Sequence, residues 1–217
     1  MAGSASSNPT LAAVILAAGH GSRMAGQGPA SKVLAPVGGQ PLILAPVRAA
    51  LDAGLSPVII VVGHAAADVR TALAGHSVTV VETEDITEGM GASLRAGIAA
   101  APKAVAGVAV LLGDMPGITA EHLTRLQEAF AKVGASAIVA PTCGGRRGNP
   151  VIWPRALFPD LRRVTGDVGG REILRAHAAE MVAVAMDGCA DRGVGVLLDI
   201  DTPEDLARWG QGSTETD

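Results

Sequence analysis

Unbroken apolar runs recur along this chain with segments of helical period between them, and they constrain its fold more than any other feature. Val108-Ala109-Val110-Leu111-Leu112 has no polar residue at alternate positions, so a strand made from it has no face to offer water and belongs inside a parallel sheet covered on both sides. Leu11 to Ala17 and Pro57 to Val62 read the same way, and Ser77 to Val81, Ala135 to Ala140, Met181 to Met186 and Gly195 to Ile200 are further short strands. Between them, Ile43, Val47, Ala50 and Leu51 mark the inner face of a helix that stops at Gly54, and 65–73 is helical. Gly89-Met90-Gly91-Ala92-Ser93 opens a helix carrying Leu94 and Ile98, while Leu123, Leu126, Phe130 and Val133 form one stripe behind a Thr119 cap. Strand alternating with helix predicts the α/β class, as a single doubly wound, mostly parallel sheet with helices on both faces.

Past Pro141 the rhythm loosens. Cys143-Gly144-Gly145-Arg146-Arg147-Gly148-Asn149-Pro150 is a cationic, turn-rich loop and Val151 to Trp153 a short β segment, so a departure from simple winding is expected there. Gly166-Asp167-Val168-Gly169-Gly170 precedes a helix ending near His177. Asp201-Thr202-Pro203-Glu204-Asp205 starts a final helix, with Thr202 as cap, Pro203 at the first position and acids in the first turn. A chain of 217 residues with 48% hydrophobic side chains suits one core. The expected domain is 11–209, with tails at 1–10 and 210–217.

A net charge of −4 gives no global attraction to nucleic acid or anionic membrane, and 2% aromatic residues, with no Tyr, leave few platforms for stacking bases. No apolar segment approaches the roughly 20 residues of a membrane span. The opening residues before the first apolar run hold no Lys or Arg, unlike a signal peptide, so a cytoplasmic protein is expected. Cys143 and Cys189 lack the paired spacing of a zinc or redox site and are expected as two free thiols.

In an open parallel sheet, ligands sit beyond the carboxyl ends of the strands. The first strand runs into Ala17-Ala18-Gly19-His20-Gly21-Ser22-Arg23-Met24, where small residues let backbone N–H groups approach an anion and Arg23 adds charge. Lys32 follows. A dinucleotide fingerprint would need a third glycine where Met24 stands. Asp114 follows a central strand, Asp201 follows the last one, and the Gly89 to Ser93 loop follows the third. Two cations facing two carboxylates is what a nucleoside triphosphate with Mg²⁺ requires, the acids holding the hard metal and the cations neutralising departing phosphates. Singly, Asp114 reads equally as a turn residue, Asp201 as a helix entry, and Arg23 and Lys32 as solvated side chains. His20 and His64 have no metal spacing. Arg146, Arg147, Arg162 and Arg163 can form a solvated face, although the glycines around the first pair favour an anion contact.

Taken in order, Leu16-Ala17-Ala18-Gly19 with Ser22-Arg23-Met24 and Lys32, Gly89 to Leu94, Gly113-Asp114-Met115-Pro116, Gly148-Asn149-Pro150 and Leu198 to Asp205 resemble the nucleotidyltransferases of molybdenum cofactor biosynthesis. The match runs from about Leu11 to Trp209 and is most similar to the molybdenum cofactor cytidylyltransferase family. The resemblance implies a Rossmann-like nucleotidyltransferase fold. It implies that Leu16, Ala17, Ala18, Gly19, Arg23 and Lys32 hold the triphosphate, that Ser93 touches the nucleoside, and that Asp114 and Asp201 ligate Mg²⁺. Arg23, Lys32 and Asp114 would be catalytic. Arg146, Gly148, Asn149, Pro150 and Asp167 would face an acceptor, a molybdopterin-type cofactor whose phosphate attacks the α-phosphorus of CTP and expels pyrophosphate. The guanylyl-transferring relatives have two glycines where this chain has Ala18-Gly19, and a Cβ at position 18 narrows the floor under a base, which suits a pyrimidine.

The competing expectations are guanylyl transfer, transfer to a sugar phosphate or isoprenoid precursor on the same scaffold, and a non-catalytic cofactor carrier or insertion chaperone serving a molybdenum hydroxylase. Nothing in the sequence marks a redox cofactor site. Neither nucleic acid nor membrane is expected as a partner.

Overall fold

A computed structural model of the chain describes residues 9–19, 31–63, 65–83, 89–186, 195–202, 204–205 and 209. Arg23, His20, His64, Met24, Cys189 and Pro203, singled out in the sequence, lie outside these residues.

The chain begins with β1 (Leu11–Ala17), followed by the small hairpin β2 (Pro36–Val37) and β3 (Gln40–Pro41), then α1 (Leu44–Asp52) and β4 (Val58–Val62). Next come α2 (Ala66–Ala72), β5 (Thr79–Glu82), α3 (Met90–Ala100), β6 (Gly107–Leu112) and α4 (Ala120–Lys132). The last third holds β7 (Val139–Cys143), β8 (Arg146–Arg147), β9 (Val151–Pro154), α5 (Phe158–Leu161), α6 (Arg171–Ala176) and β10 (Val182–Ala185). The main sheet has the order β10-β7-β9-β6-β1-β4-β5, with β8 paired to β7. β1 pairs in parallel with β4 and β6, β4 with β5, and β7 with β10. The winding therefore runs outward from β1 on one side and returns to continue on the other, which makes the carboxyl end of β1 the switch point.

Alternate side chains of β1 divide the core between the two faces. Ala13 and Ile15 pack with Val47 of α1, Val69 of α2 and Leu123 of α4 on one face, and Ala12 and Val14 pack with Leu94 and Ile98 of α3 and Leu161 of α5 on the other. This is the doubly wound α/β architecture expected from the unbroken apolar runs, and every residue of β4 is buried. Thr119 caps α4 as expected, its Oγ1 accepting from His122 N while His122 Nδ1 accepts from Thr119 N.

The expected break in the winding is β9, antiparallel to both β6 and β7, with the β7–β8 hairpin folded back before it. Three expectations are corrected. The strand placed at Ala135 starts only at Val139, because Gly134 and Ala135 take left-handed φ values of 62° and 58° and make a turn instead. Gly195 to Ile200 is not a strand: it is a turn followed by residues without regular structure, held by isolated bonds, Asn149 N to Val196 O at 2.8 Å and Ile200 N to Asp114 O at 3.0 Å, with no ladder to join. Cys143 is not a free thiol. It is buried at the end of β7 and disulfide-bonded, a pairing that separation along the chain gave no means of reading. Among the described residues no helix is long and apolar enough to cross a membrane.

Candidate active site

The site forms where β1 and β6 end side by side. Leu16 pairs with Leu112, and one residue later Gly113 N donates to Leu16 O at 2.9 Å. A Cβ on Gly113 would stand 3.1 Å from both Leu16 O and a Val33 methyl, so a bare backbone here lets the β6 turn approach the short 3₁₀ helix Lys32–Leu34. That approach brings Lys32 to Asp114. Ile200 N, bonded to the Asp114 carbonyl, draws the late segment in and places Asp201 beside the same lysine.

Lys32 Nζ lies 2.5 Å from Asp114 Oδ2 and 2.8 Å from Asp201 Oδ1. Three residues remote in sequence thus meet at the carboxyl ends of the central strands, the convergence the sequence required. Burial alone would push the lysine's pKa down; the Asp114 charge and the bonds to Asp114 and Asp201 outweigh it and hold the ammonium's pKa above its ordinary value. Asp114 Oδ1 is buried without a hydrogen-bond partner. An unsatisfied buried carboxylate oxygen is costly and suits a hard cation.

One participant was not identified in the sequence. Asp199 is exposed as a residue, yet surrounding atoms withhold hydration from its carboxyl, and this together with the Asp114 and Asp201 charges raises its pKa, with backbone bonding and Lys32 opposing. The signal was present in Asp199-Ile200-Asp201, since alternate residues of an extended segment project to one side. Among the described residues no three His, Cys, Asp or Glu side chains form a metal cage. Mg²⁺ does not need one, since it keeps waters and takes one or two carboxylates with substrate phosphates. Asp114 and Asp201 fit that pattern.

The remaining candidates divide by location. Leu16 and Ala17 close β1, Ala18 is buried and Gly19 is exposed with open space where a Cβ would stand, as an anion loop needs; Arg23 lies outside the described residues. Ser93 is buried in the first turn of α3. Arg146 and Arg147 are exposed on β8. Gly148 N donates to Pro141 O at 2.9 Å, and Asn149 N bonds Val196 O, so Gly148-Asn149-Pro150 docks on the backbone that leads to Asp199 and Asp201. Asp167 Oδ1 accepts from Met90 N at 3.1 Å, at the start of α3. Thr202 behaves as the expected cap, with Oγ1 accepting from Asp205 N at 3.2 Å and Thr202 N donating back to Asp205 Oδ2 at 2.9 Å.

With this geometry, similarity to known proteins becomes interpretable. A MobA-like NTP transferase domain matches residues 13–181. The chain belongs to that family. Among curated relatives of this MobA-like protein, the bifunctional protein GlmU of Geobacter metallireducens is 35% identical over 68% of the chain but only 30% of its own length; the chain spans about a third of the GlmU proteins it matches. Nicotine blue oxidoreductase of Paenarthrobacter nicotinovorans is 32% identical over 92% of this chain and 96% of that protein. Among solved structures, Rv0371c of Mycobacterium tuberculosis is 30% identical with a TM-score of 0.79, covering 94% of this chain and 99% of that one, and has also been solved as a manganese complex. The nucleotidyl transferase Mth528 of Methanothermobacter is 27% identical with a TM-score of 0.78, over 96% and 99%. The expected nucleotidyltransferase fold holds for this MobA-like chain.

Proposed function

We propose that the chain transfers a nucleotidyl group from a nucleoside triphosphate to a phosphate-bearing acceptor, with CTP as donor and a molybdopterin-type cofactor as acceptor. The observation that carries this reading is the Asp114–Lys32–Asp201 arrangement at the switch point, with one Asp114 oxygen buried and unpartnered. The reaction is an in-line displacement: an acceptor phosphate oxygen forms a bond to the α-phosphorus, the bond from that phosphorus to the bridging oxygen breaks, and pyrophosphate leaves with the electron pair. Asp114 and Asp201 would hold a divalent cation, Mg²⁺, which when bound would offset charge on the phosphates. Lys32 and Arg23 neutralise the leaving pyrophosphate, and the Leu16 to Gly19 backbone offers N–H donors to the triphosphate. Ser93 contacts the nucleoside. Arg146 with Gly148-Asn149-Pro150 and the Gly166-Asp167 segment faces the acceptor, and a molybdenum hydroxylase is the proposed recipient of the product.

Incubating the purified chain with Mg²⁺, each nucleoside triphosphate and a panel of molybdopterin-type cofactor, sugar 1-phosphates and an isoprenoid-precursor phosphate, with pyrophosphate as readout, tests the reading. Release with CTP and the cofactor is expected; release with a sugar phosphate alone would move the acceptor toward the chemistry of GlmU, and none with any pair would refute transfer. The near full-length match to a protein named as an oxidoreductase favours one second reading, oxidoreduction. Consumption of a reduced nicotinamide by the same preparation would support it over nucleotidyl transfer.

A further inference from the structure

The segment from α5 to α6 lies along α3 as a strap running in the opposite direction. Arg162 Nη2 donates to Ile98 O at 3.4 Å, Arg95 Nη1 donates to Val164 O at 2.7 Å, and Met90 N donates to Asp167 Oδ1 at 3.1 Å. As the strap advances from 162 to 167, its contacts move from the carboxyl to the amino end of α3. The last of them matters most. The first amides of a helix have no partner inside the helix, and Gly89, at the cap position of α3, has no side chain to supply one. A carboxylate 77 residues away does so instead, placed where the helix dipole favours negative charge.

The backbone is built for this contact. Gly89 takes φ +72°, and a Cβ there would stand 2.7 Å from Asp167 Oδ1. A Cβ on Gly91 would stand 2.6 Å from Gly166 O. Neither turn could close on the other with side chains at these positions.

We propose that Asp167 is a positioning residue that fastens the Gly166–Gly169 strap to the Gly89–Ser93 turn, so that the order of the nucleotide-side turn depends on a residue of the acceptor-side segment. The inference rests on the proposed function in taking Ser93 as a nucleoside contact and the strap as facing the acceptor. It replaces direct acceptor contact as the role of Asp167. Anything that draws the strap away from α3 loosens the turn that holds the nucleoside, and a bound nucleotide in turn holds the strap.

Two measurements on the full chain test this. Amide hydrogen exchange over residues 89–94 without ligand reads the fastening, and calorimetric titration with CTP and Mg²⁺, with GTP and ATP in parallel, reads its consequence. Asp167→Ala should speed exchange and weaken nucleotide binding by about tenfold each, the scale of one hydrogen bond to a charged acceptor. Asp167→Asn, whose side-chain carbonyl accepts the same bond, should recover most of both. Met90→Pro deletes the donor from the opposite side of the bond while keeping a residue suited to the first helical position, and combined with Asp167→Ala it should add nothing further. Unaltered exchange in Asp167→Ala, faster exchange with nucleotide affinity within twofold of wild type, or additive losses in the double variant would each overturn the proposal. A wild-type chain that binds none of the three nucleotides overturns the proposed function and this inference with it; one that binds them but ignores Asp167→Ala overturns the inference alone.

Discussion

Replacing Lys32 by Met removes the charge between Asp114 and Asp201 and keeps most of the side-chain volume. The side chains of Lys32 and Asp114 are only 14% and 15% exposed, so this is a nearly buried pair. Breaking such a pair by deleting one partner leaves an uncompensated charge and costs roughly 3–5 kcal/mol. The second contact adds little, since Asp201 is 47% exposed and water screens it. Taking the lower end, about 3 kcal/mol, the midpoint of thermal unfolding should fall by roughly 6–12 °C for a chain of this size. Because the folded pKa of Lys32 is raised, its contribution is fully present below the unfolded value of about 10.4 and lost only as pH rises through the folded value. The deficit should therefore stay constant across neutral pH and close only in strong alkali. Millimolar Mg²⁺ or Mn²⁺ should then stabilise Lys32→Met more than wild type, since the cation no longer competes with an ammonium for the same two carboxylates. Calorimetry with and without metal reads both effects. A variant melting within 2 °C of wild type, or metal protecting wild type more than the variant, would refute the reasoning.

Three further perturbations have definite signs. Asp199→Asn should raise the melting temperature at pH 7: burial and the neighbouring acids lift its folded pKa, so its favourable contribution exists only below the unfolded value of about 3.9 and is lost as pH rises through the folded value; the gain should vanish in thermal scans near pH 3. Burial lowers the pKa of His122, with Glu121 opposing and Arg125 reinforcing, and its Nδ1 must stay unprotonated to accept from Thr119 N. Its stabilising share is present above about pH 6.5 and lost as pH falls through the lower folded value. His122→Ala, which removes the acceptor for Thr119 N, should accordingly cost about 1 kcal/mol in urea unfolding at pH 8 and less at pH 5. Gly97→Ala should destabilise by about 1–3 kcal/mol in the same assay, since the added methyl would overlap a methyl of buried Val14 and stand 3.2 Å from Val61; an unaltered midpoint would contradict the packing described for that face.

The sheet could be read from the sequence because its signals are local. A run such as Val108 to Leu112 has one physical outcome, and Thr119 and Gly54 mark helix ends through the backbone geometry they favour. The place of Asp114 was legible for another reason, since a parallel sheet delivers its strand exits to one rim, whereas Asp201 arrives there on a segment that is no strand, tied in by Ile200 N on Asp114 O. What escaped were features set by tertiary approach. Gly195 to Ile200 has strand composition, but its neighbours offer it single hydrogen bonds and not a ladder. The bonding of Cys143 depends on which segments become adjacent. Asp167 was expected to face an acceptor, and only the path of the strap along α3 shows that its carboxylate is engaged by Met90 N.

The reversed strand β9 has a consequence for how such a scaffold can diversify. Because it runs against β6 and β7, the rim that gathers strand exits also receives one strand entrance, at Gly148-Asn149-Pro150. That doorway is tied to the aspartate-bearing segment through the main chain, Asn149 N donating to Val196 O. Gly148 is fixed there, since a Cβ would collide with Val196 O, whereas the exposed Arg146 and Arg147 of β8 just before it can be recoded for a new acceptor while the phosphate-handling machinery stays as it is, a division of labour that lets one architecture serve many cargoes.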